Sequence, residues 1–104
     1  MAHVLTSADF DSTIASGVTL VDFYADWCGP CQVLIPVIEE MAKTYEGRAN
    51  ICKLDVDASG DIAQKFGIMS IPTLLVFKEG QLVEKMVGLQ SQAELVGMVE
   101  KHLV

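Results

Sequence analysis

The sequence predicts an α/β domain built on a mixed β-sheet with helices on both faces, and three observations carry that prediction. Short apolar runs of strand type alternate with segments of helical periodicity through the first half of the chain, the pattern of parallel strands joined by crossover helices. Two later apolar runs are separated only by Lys78-Glu79-Gly80, a hairpin spacing that adds antiparallel pairing. Hydrophobic residues make up 51% of the 104 positions, enough for one core without covalent staples. A single domain over residues 1–104 is therefore expected.

Residues 7–16 read as a short helix, with Ser7 as N-cap, Phe10 and Ile14 four apart, and Gly17 as its stop. Val18-Thr19-Leu20-Val21-Asp22-Phe23-Tyr24 reads as a buried strand. The helix that follows, over residues 32–45, carries Leu34, Ile35, Val37, Ile38, Met41 and Ala42 on a broad inner face and stops at Gly47. Residues 50–56 form the next strand, and residues 59–66 a short helix capped by Ser59 and closed by Gly67. Residues 73–77 and 81–87 are the hairpin strands. Ser91-x-x-Glu94 is a capping-box pattern opening a last helix that runs to the C-terminus, with Leu95, Met98, Val99 and His102 toward one side.

Fourteen acidic against seven basic residues give a net charge of −7, a surface that repels phosphate backbones and anionic membranes, so no nucleic-acid partner is expected. No apolar run approaches the roughly 20 residues that span a bilayer. The first residues show no basic segment followed by an apolar one, so a reducing, cytoplasmic compartment is expected, with an organellar mature form as the alternative. Three cysteines are an odd number, which argues against a framework of structural bridges. A small domain with one apolar docking patch is expected to be a monomer.

Trp27-Cys28-Gly29-Pro30-Cys31 lies where the first long strand passes into a helix. Helical residues three apart differ by about 300° in rotation and about 4.5 Å in rise, which puts their Cα atoms roughly 5 Å apart. That separation falls inside the disulfide window of about 4.4–6.8 Å. The pair can close and open with little backbone movement, which marks it as a redox motif. Half of a zinc site is the competing reading, but it needs about two more ligands. The remaining candidates, Cys52, His3 and His102, are scattered along the chain, and no metal is expected.

The chain resembles the thioredoxin family over essentially its whole length. The resemblance rests on Val21 through Cys31, on Lys53-Leu54-Asp55-Val56-Asp57, on Gly67-Ile68-Met69-Ser70-Ile71-Pro72-Thr73, on Phe77-Lys78-Glu79-Gly80 and on Gly88. It implies the thioredoxin fold, a central mixed five-stranded sheet flanked by four helices. It also implies dithiol–disulfide oxidoreductase activity on other proteins, with recycling by a thioredoxin reductase. That partner would carry the redox cofactor, and no bound cofactor is expected here.

Cys28, at the helix start, is expected to be the attacking thiolate, favoured by unpaired N–H groups and the positive end of the helix dipole. Cys31, one turn deeper, would resolve the mixed disulfide. Gly29 and Pro30 tune the pair, since proline fixes a helical φ and leaves no N–H unpaired in the first turn. Trp27 reads either as core filler or as part of the docking surface. Asp22 interrupts an apolar strand, where burial would raise its proton affinity. From the residues alone it is equally a strand-end aspartate paired to backbone. The resemblance assigns it to deprotonating Cys31, with Lys53 on the neighbouring strand able to modulate its charge.

The resemblance further implies a cis Ile71–Pro72 bond against the cysteines, with Ile71 backbone groups free to pair with an extended substrate. Gly88 and the Met69-Ser70 loop would complete the groove. Cys52 reads as a buried small hydrophobe, and His3 and His102 as solvated. Gln32 departs from the family, where many members carry lysine, and the lost charge is expected to weaken thiolate stabilisation slightly. Competing functions are a non-catalytic binding subunit and an oxidase or isomerase of secreted proteins.

Overall fold

Val18–Tyr24 is buried along its entire length, so apart from Thr19 and Asp22 its sequence is apolar on both faces instead of alternating. It is the middle strand of a five-stranded sheet. In the computed structural model, which describes residues 1–103, the elements are β1 (His3–Val4), α1 (Phe10–Ile14), β2 (Val18–Tyr24), α2 (Gly29–Thr44), β3 (Asn50–Asp55), α3 (Gly60–Lys65), β4 (Thr73–Lys78), β5 (Gln81–Val87) and α4 (Gln92–Leu103). The strand order is β1-β3-β2-β4-β5. β3 runs parallel to β1 and β2, whereas β4 is antiparallel to β2 and β5. The mixed five-stranded sheet with four helices is the architecture the sequence led us to expect.

Period-two alternation sorts the strand residues onto two faces. Leu20, Ile51, Leu74 and Val76 pack with Leu34, Ile38 and Met41 of α2 and with Leu95, Met98 and Val99 of α4. Val21, Phe23, Cys52, Leu54, Leu75 and Phe77 pack on the other face with Phe10 and Ile14 of α1 and Ile62 of α3. Asp22 therefore shares the face of Leu20, toward the helix that carries Cys31.

Several local expectations hold. Ser91 and Glu94 make the reciprocal capping bonds, Ser91 N–H to Glu94 Oε1 at 2.9 Å and Glu94 N–H to Ser91 Oγ at 3.1 Å. Glu79 (φ 51°) and Gly80 (φ 83°) turn the hairpin, the paired positive φ values of a tight turn matched to strand twist. The last helix is described as far as Leu103, and its expected run to Val104 lies outside the described residues.

Other expectations are corrected. The first helix is shorter than residues 7–16 and begins at Phe10. Ser7 does not cap it, because its hydroxyl bonds Asp61 of α3. Ser59 occupies the N-cap position of α3 but makes no side-chain cap bond. The helix after the motif begins at Gly29, earlier than residue 32, since Pro30 is suited to a first turn. β1, two residues long, is too short to show a period in the sequence. His102 is not solvated: its Nε2 lies 2.9 Å from Glu84 Oε2, which Lys101 Nζ also approaches at 2.8 Å, tying α4 to β5. His3 pairs with Asp9 at 2.7 Å and stays exposed, as expected.

Candidate active site

The end of β2 delivers the chain to the two cysteines, and α2 starts between them. Cys28 is the N-cap of α2, in extended conformation (φ −91°, ψ 113°), and its sulfur accepts the Cys31 N–H at 3.3 Å. A cap side chain thus meets one of the helix's unpaired donors. Cys28 and Cys31 are joined by a disulfide with a Cα–Cα separation of 5.3 Å, matching the reach that helical spacing predicts. Cys28 keeps 6% of its surface exposed and Cys31 none. Gly29 and Pro30 between them face solvent.

A second loop closes over the sulfurs. The Ile71–Pro72 bond is cis, and the Ile71 carbonyl oxygen lies 3.8 Å from Cys28 Sγ. Ile71 packs with Tyr24, Ala25, Cys28 and Cys31. This loop is held at both ends: Thr73 Oγ1 donates to Ser70 O at 2.6 Å, and Gly88 N–H donates to Pro72 O at 2.8 Å. Gly88 does so with φ 94°, a conformation that side-chain-bearing residues rarely adopt.

Trp27 is 72% exposed, so it is not core filler. Its indole N–H donates to Asp57 Oδ2 at 2.8 Å. Trp27, Val56, Ile68, Met69, Ser70 and Ile71 line a shallow groove of about 370 Å³ beside the cysteines. The Asp55 carboxylate accepts the Asp57 N–H at 2.8 Å and so positions Asp57.

Asp22 is fully buried, and neither carboxyl oxygen has a hydrogen-bond partner among the described residues. Burial lifts its pKa from 3.8 to about 7, against a partial pull downward from the Lys53 charge. Lys53 sits opposite Asp22 in the β2–β3 register. Its ammonium, however, bonds Glu39 Oε2 at 3.1 Å and lies 5.8 Å from the Tyr24 ring centroid.

The structure thus brings Asp22, Lys53, Trp27, Cys28, Gly29, Pro30, Cys31, Ile71, Pro72 and Gly88 to one end of the sheet. Gln32 turns its amide back, with Nε2 at 3.4 Å from both Ala25 O and Asp26 O, across the segment leading into the motif. Sequence reasoning gave Asp57 no role, although it lies in the Lys53–Asp57 stretch that carries the resemblance, and missed Glu39, one acidic residue among fourteen that no local pattern singles out. Cys52 is buried, with its thiol pushed up to about 12 by burial first and by the Asp9 charge second.

Comparison with known proteins agrees with this geometry. A family model described as Thioredoxin matches residues 1–101. Thioredoxins of Staphylococcus aureus strains COL and MW2 are each 57% identical over 99 residues, covering 95% of this chain and 95% of theirs. The solved structure of a mutant thioredoxin from Halobacterium salinarum NRC-1 superposes with a TM-score of 0.90 at 38% identity, covering 99% of this chain and 90% of that one. With its helix-capping, half-hidden disulfide under the Ile71–Pro72 loop, the chain belongs to the thioredoxin family and is a thiol–disulfide oxidoreductase.

Proposed function

We propose that the reduced protein transfers electrons to disulfides of other proteins with Cys28 as nucleophile and Cys31 as resolving thiol. The observation that carries this reading is the asymmetry of the pair: Cys28 reaches the surface at a helix N-cap, and Cys31 is sealed beneath it. The Cys28 thiolate, favoured by the helix start, attacks one sulfur of a substrate disulfide. A Cys28–substrate bond forms, and the other substrate sulfur leaves as a thiolate. Cys31 then loses its proton to the Asp22 carboxylate and attacks Cys28. The first substrate sulfur leaves, and the Cys28–Cys31 bridge stores the two electrons' worth of oxidation.

Asp22 suits this role because a carboxyl with a pKa of about 7 can take and return a proton near neutral pH. The groove from Trp27 to Ile71 receives the apolar residues around the target disulfide. The free backbone groups of Ile71 pair with an extended substrate segment, and Gly88 shapes the groove's far side. A thioredoxin reductase, bearing its own redox cofactor, returns the bridge to the dithiol. Its setting is a reducing compartment such as the cytoplasm, where the chain acts as a single-domain monomer.

Reduction of an insulin-type disulfide tests the assignment. Wild type turns over, Cys28→Ser does not, and Cys31→Ser accumulates partners covalently trapped on Cys28. Turnover by Cys28→Ser would overturn the reading. Full cellular function of the double serine variant would favour a non-catalytic binding subunit instead.

A further inference from the structure

Lys53 can serve two carboxylates, and the structure shows which one holds it. Asp22 and Lys53 are directly paired in the parallel β2–β3 register, so their side chains leave the sheet on the same face. Yet Asp22 accepts no hydrogen bond among the described residues, while Lys53 Nζ lies 3.1 Å from Glu39 Oε2. Lys53 and Glu39 side chains are only 16% and 26% exposed, so this pair is screened less than a surface ion pair. The other Glu39 oxygen, Oε1, accepts the Ala2 N–H at 2.7 Å. Ala2 itself is buried in the core on the α2 face. Glu39 is thus held by the N-terminal segment on one side and holds Lys53 with the other, from a rigid helix.

We propose that Glu39 is a positioning residue for the resolving step: by holding the Lys53 ammonium away from Asp22, it sets how readily Asp22 accepts a proton. The proposal rests on the assignment of Asp22 as proton acceptor for Cys31. Of the charged and titratable groups near Asp22, Lys53 of β3 acts on its carboxyl directly, Glu39 of α2 holds Lys53, and Tyr24 at the end of β2 interacts with the Asp22, Lys53, Asp55 and Asp26 charges. β4 contributes Leu74, and α4 contributes Leu95, Met98 and Val99, none of which titrates. Lys53 is the cation that acts on Asp22, whereas the N-terminal ammonium acts on Glu39, and a side chain of four methylenes lets Lys53 swing between the two acids.

Glu39→Gln separates charge from architecture, because glutamine retains an oxygen for the Ala2 N–H but loses its hold on the ammonium. Released, Lys53 turns to Asp22 and favours its charged form. The carboxyl carbon of Asp22 in the oxidised protein is followed by NMR from pH 4 to 10 in four proteins: wild type, Glu39→Gln, Lys53→Met and the double variant. The expected result is a midpoint lowered by about one unit in Glu39→Gln, a tenfold loss of proton affinity. Lys53→Met raises the midpoint, and adding Glu39→Gln to it changes proton affinity less than twofold. An unshifted midpoint in Glu39→Gln overturns the proposal, as does an equal shift with and without Lys53, which would mean that Glu39 acts on Asp22 directly.

The rate at which Cys31 resolves a Cys28 mixed disulfide gives the functional readout. Its acid limb is expected to move with the Asp22 midpoint. The underlying assignment is tested separately by Asp22→Asn. An unchanged acid limb in that variant overturns the role of Asp22, whatever the carboxyl titration shows for Glu39.

Discussion

The Trp27 indole N–H is bonded to Asp57 Oδ2 at 2.8 Å while the ring lies 72% exposed. A tryptophan so open to solvent would otherwise sample several rotamers, and the bond fixes the ring as one wall of the groove beside Cys28. Loss of the wall is expected to matter for protein substrates more than for small disulfides. Trp27→Ala should lower kcat/KM for a protein disulfide by about tenfold, an aromatic contact of roughly 1.4 kcal/mol. Asp57→Ala should give a smaller, several-fold loss. Steady-state kinetics with a protein and a small-molecule disulfide check this, and equal losses on both substrates would remove Trp27 from docking.

Asp22 lowers stability at neutral and alkaline pH. Its folded pKa of about 7 lies above the ordinary 3.8, so the folded state binds the proton more tightly than the unfolded state does. Stability therefore falls as pH rises from about 4 through 7, by up to on the order of 4 kcal/mol at about 1.4 kcal/mol per unit. Asp22→Ala is expected to stabilise the oxidised protein by a few kcal/mol at pH 8, with the gain disappearing by pH 4. Urea unfolding at pH 4, 6 and 8 measures it, and a pH-independent difference would contradict the buried-carboxyl account.

Cys52 is expected to be silent in the native state. It is buried between the sheet and the α1–α3 side, with its thiol pushed up to about 12, so almost no thiolate exists at pH 8. Alkylation of the reduced, folded protein should label Cys28 and leave Cys52 untouched by mass spectrometry, with Cys52 labelled only after unfolding. Cys52→Ala should cost about 1–2 kcal/mol of stability through lost packing and leave turnover unchanged. A label on Cys52 of the native protein would show that the thiol is reachable.

Glu79 stands at φ 51° in the hairpin turn beside Gly80, where asparagine is favoured over a longer side chain. Glu79→Asn is expected to stabilise the fold by about 0.5–1 kcal/mol and to raise Tm by a few degrees. Thermal unfolding reads the difference directly, and a lower Tm would mean that Glu79 contributes something beyond its backbone angle.

Local signals are legible in the sequence where the physics is local. The mostly apolar Val18–Tyr24 strand, the Lys78-Glu79-Gly80 turn and the Ser91–Glu94 box each depend on residues within a few positions of one another. Failures came where a distant group competed. Ser7 is a good cap by type, but Asp61 takes its hydroxyl. His102 looks terminal and free, but Glu84 of the neighbouring strand holds it. Glu39 and Asp57 resemble any other surface acid until folding brings Lys53 and Trp27 to them.

By itself, the order of residues determined that two sulfurs would lie within bonding distance at a helix start, because helical rise and rotation are properties of adjacent peptide units. It also determined where strands and turns would form, through apolar period and positive-φ positions. Only the tertiary structure decided that Cys28 keeps a sliver of exposed surface while Cys31 has none, that burial pushes the Asp22 pKa up, and that Lys53 is turned toward Glu39. Burial and electric field are set by every chain segment packed around a group, and segments distant in sequence meet only when the fold is complete.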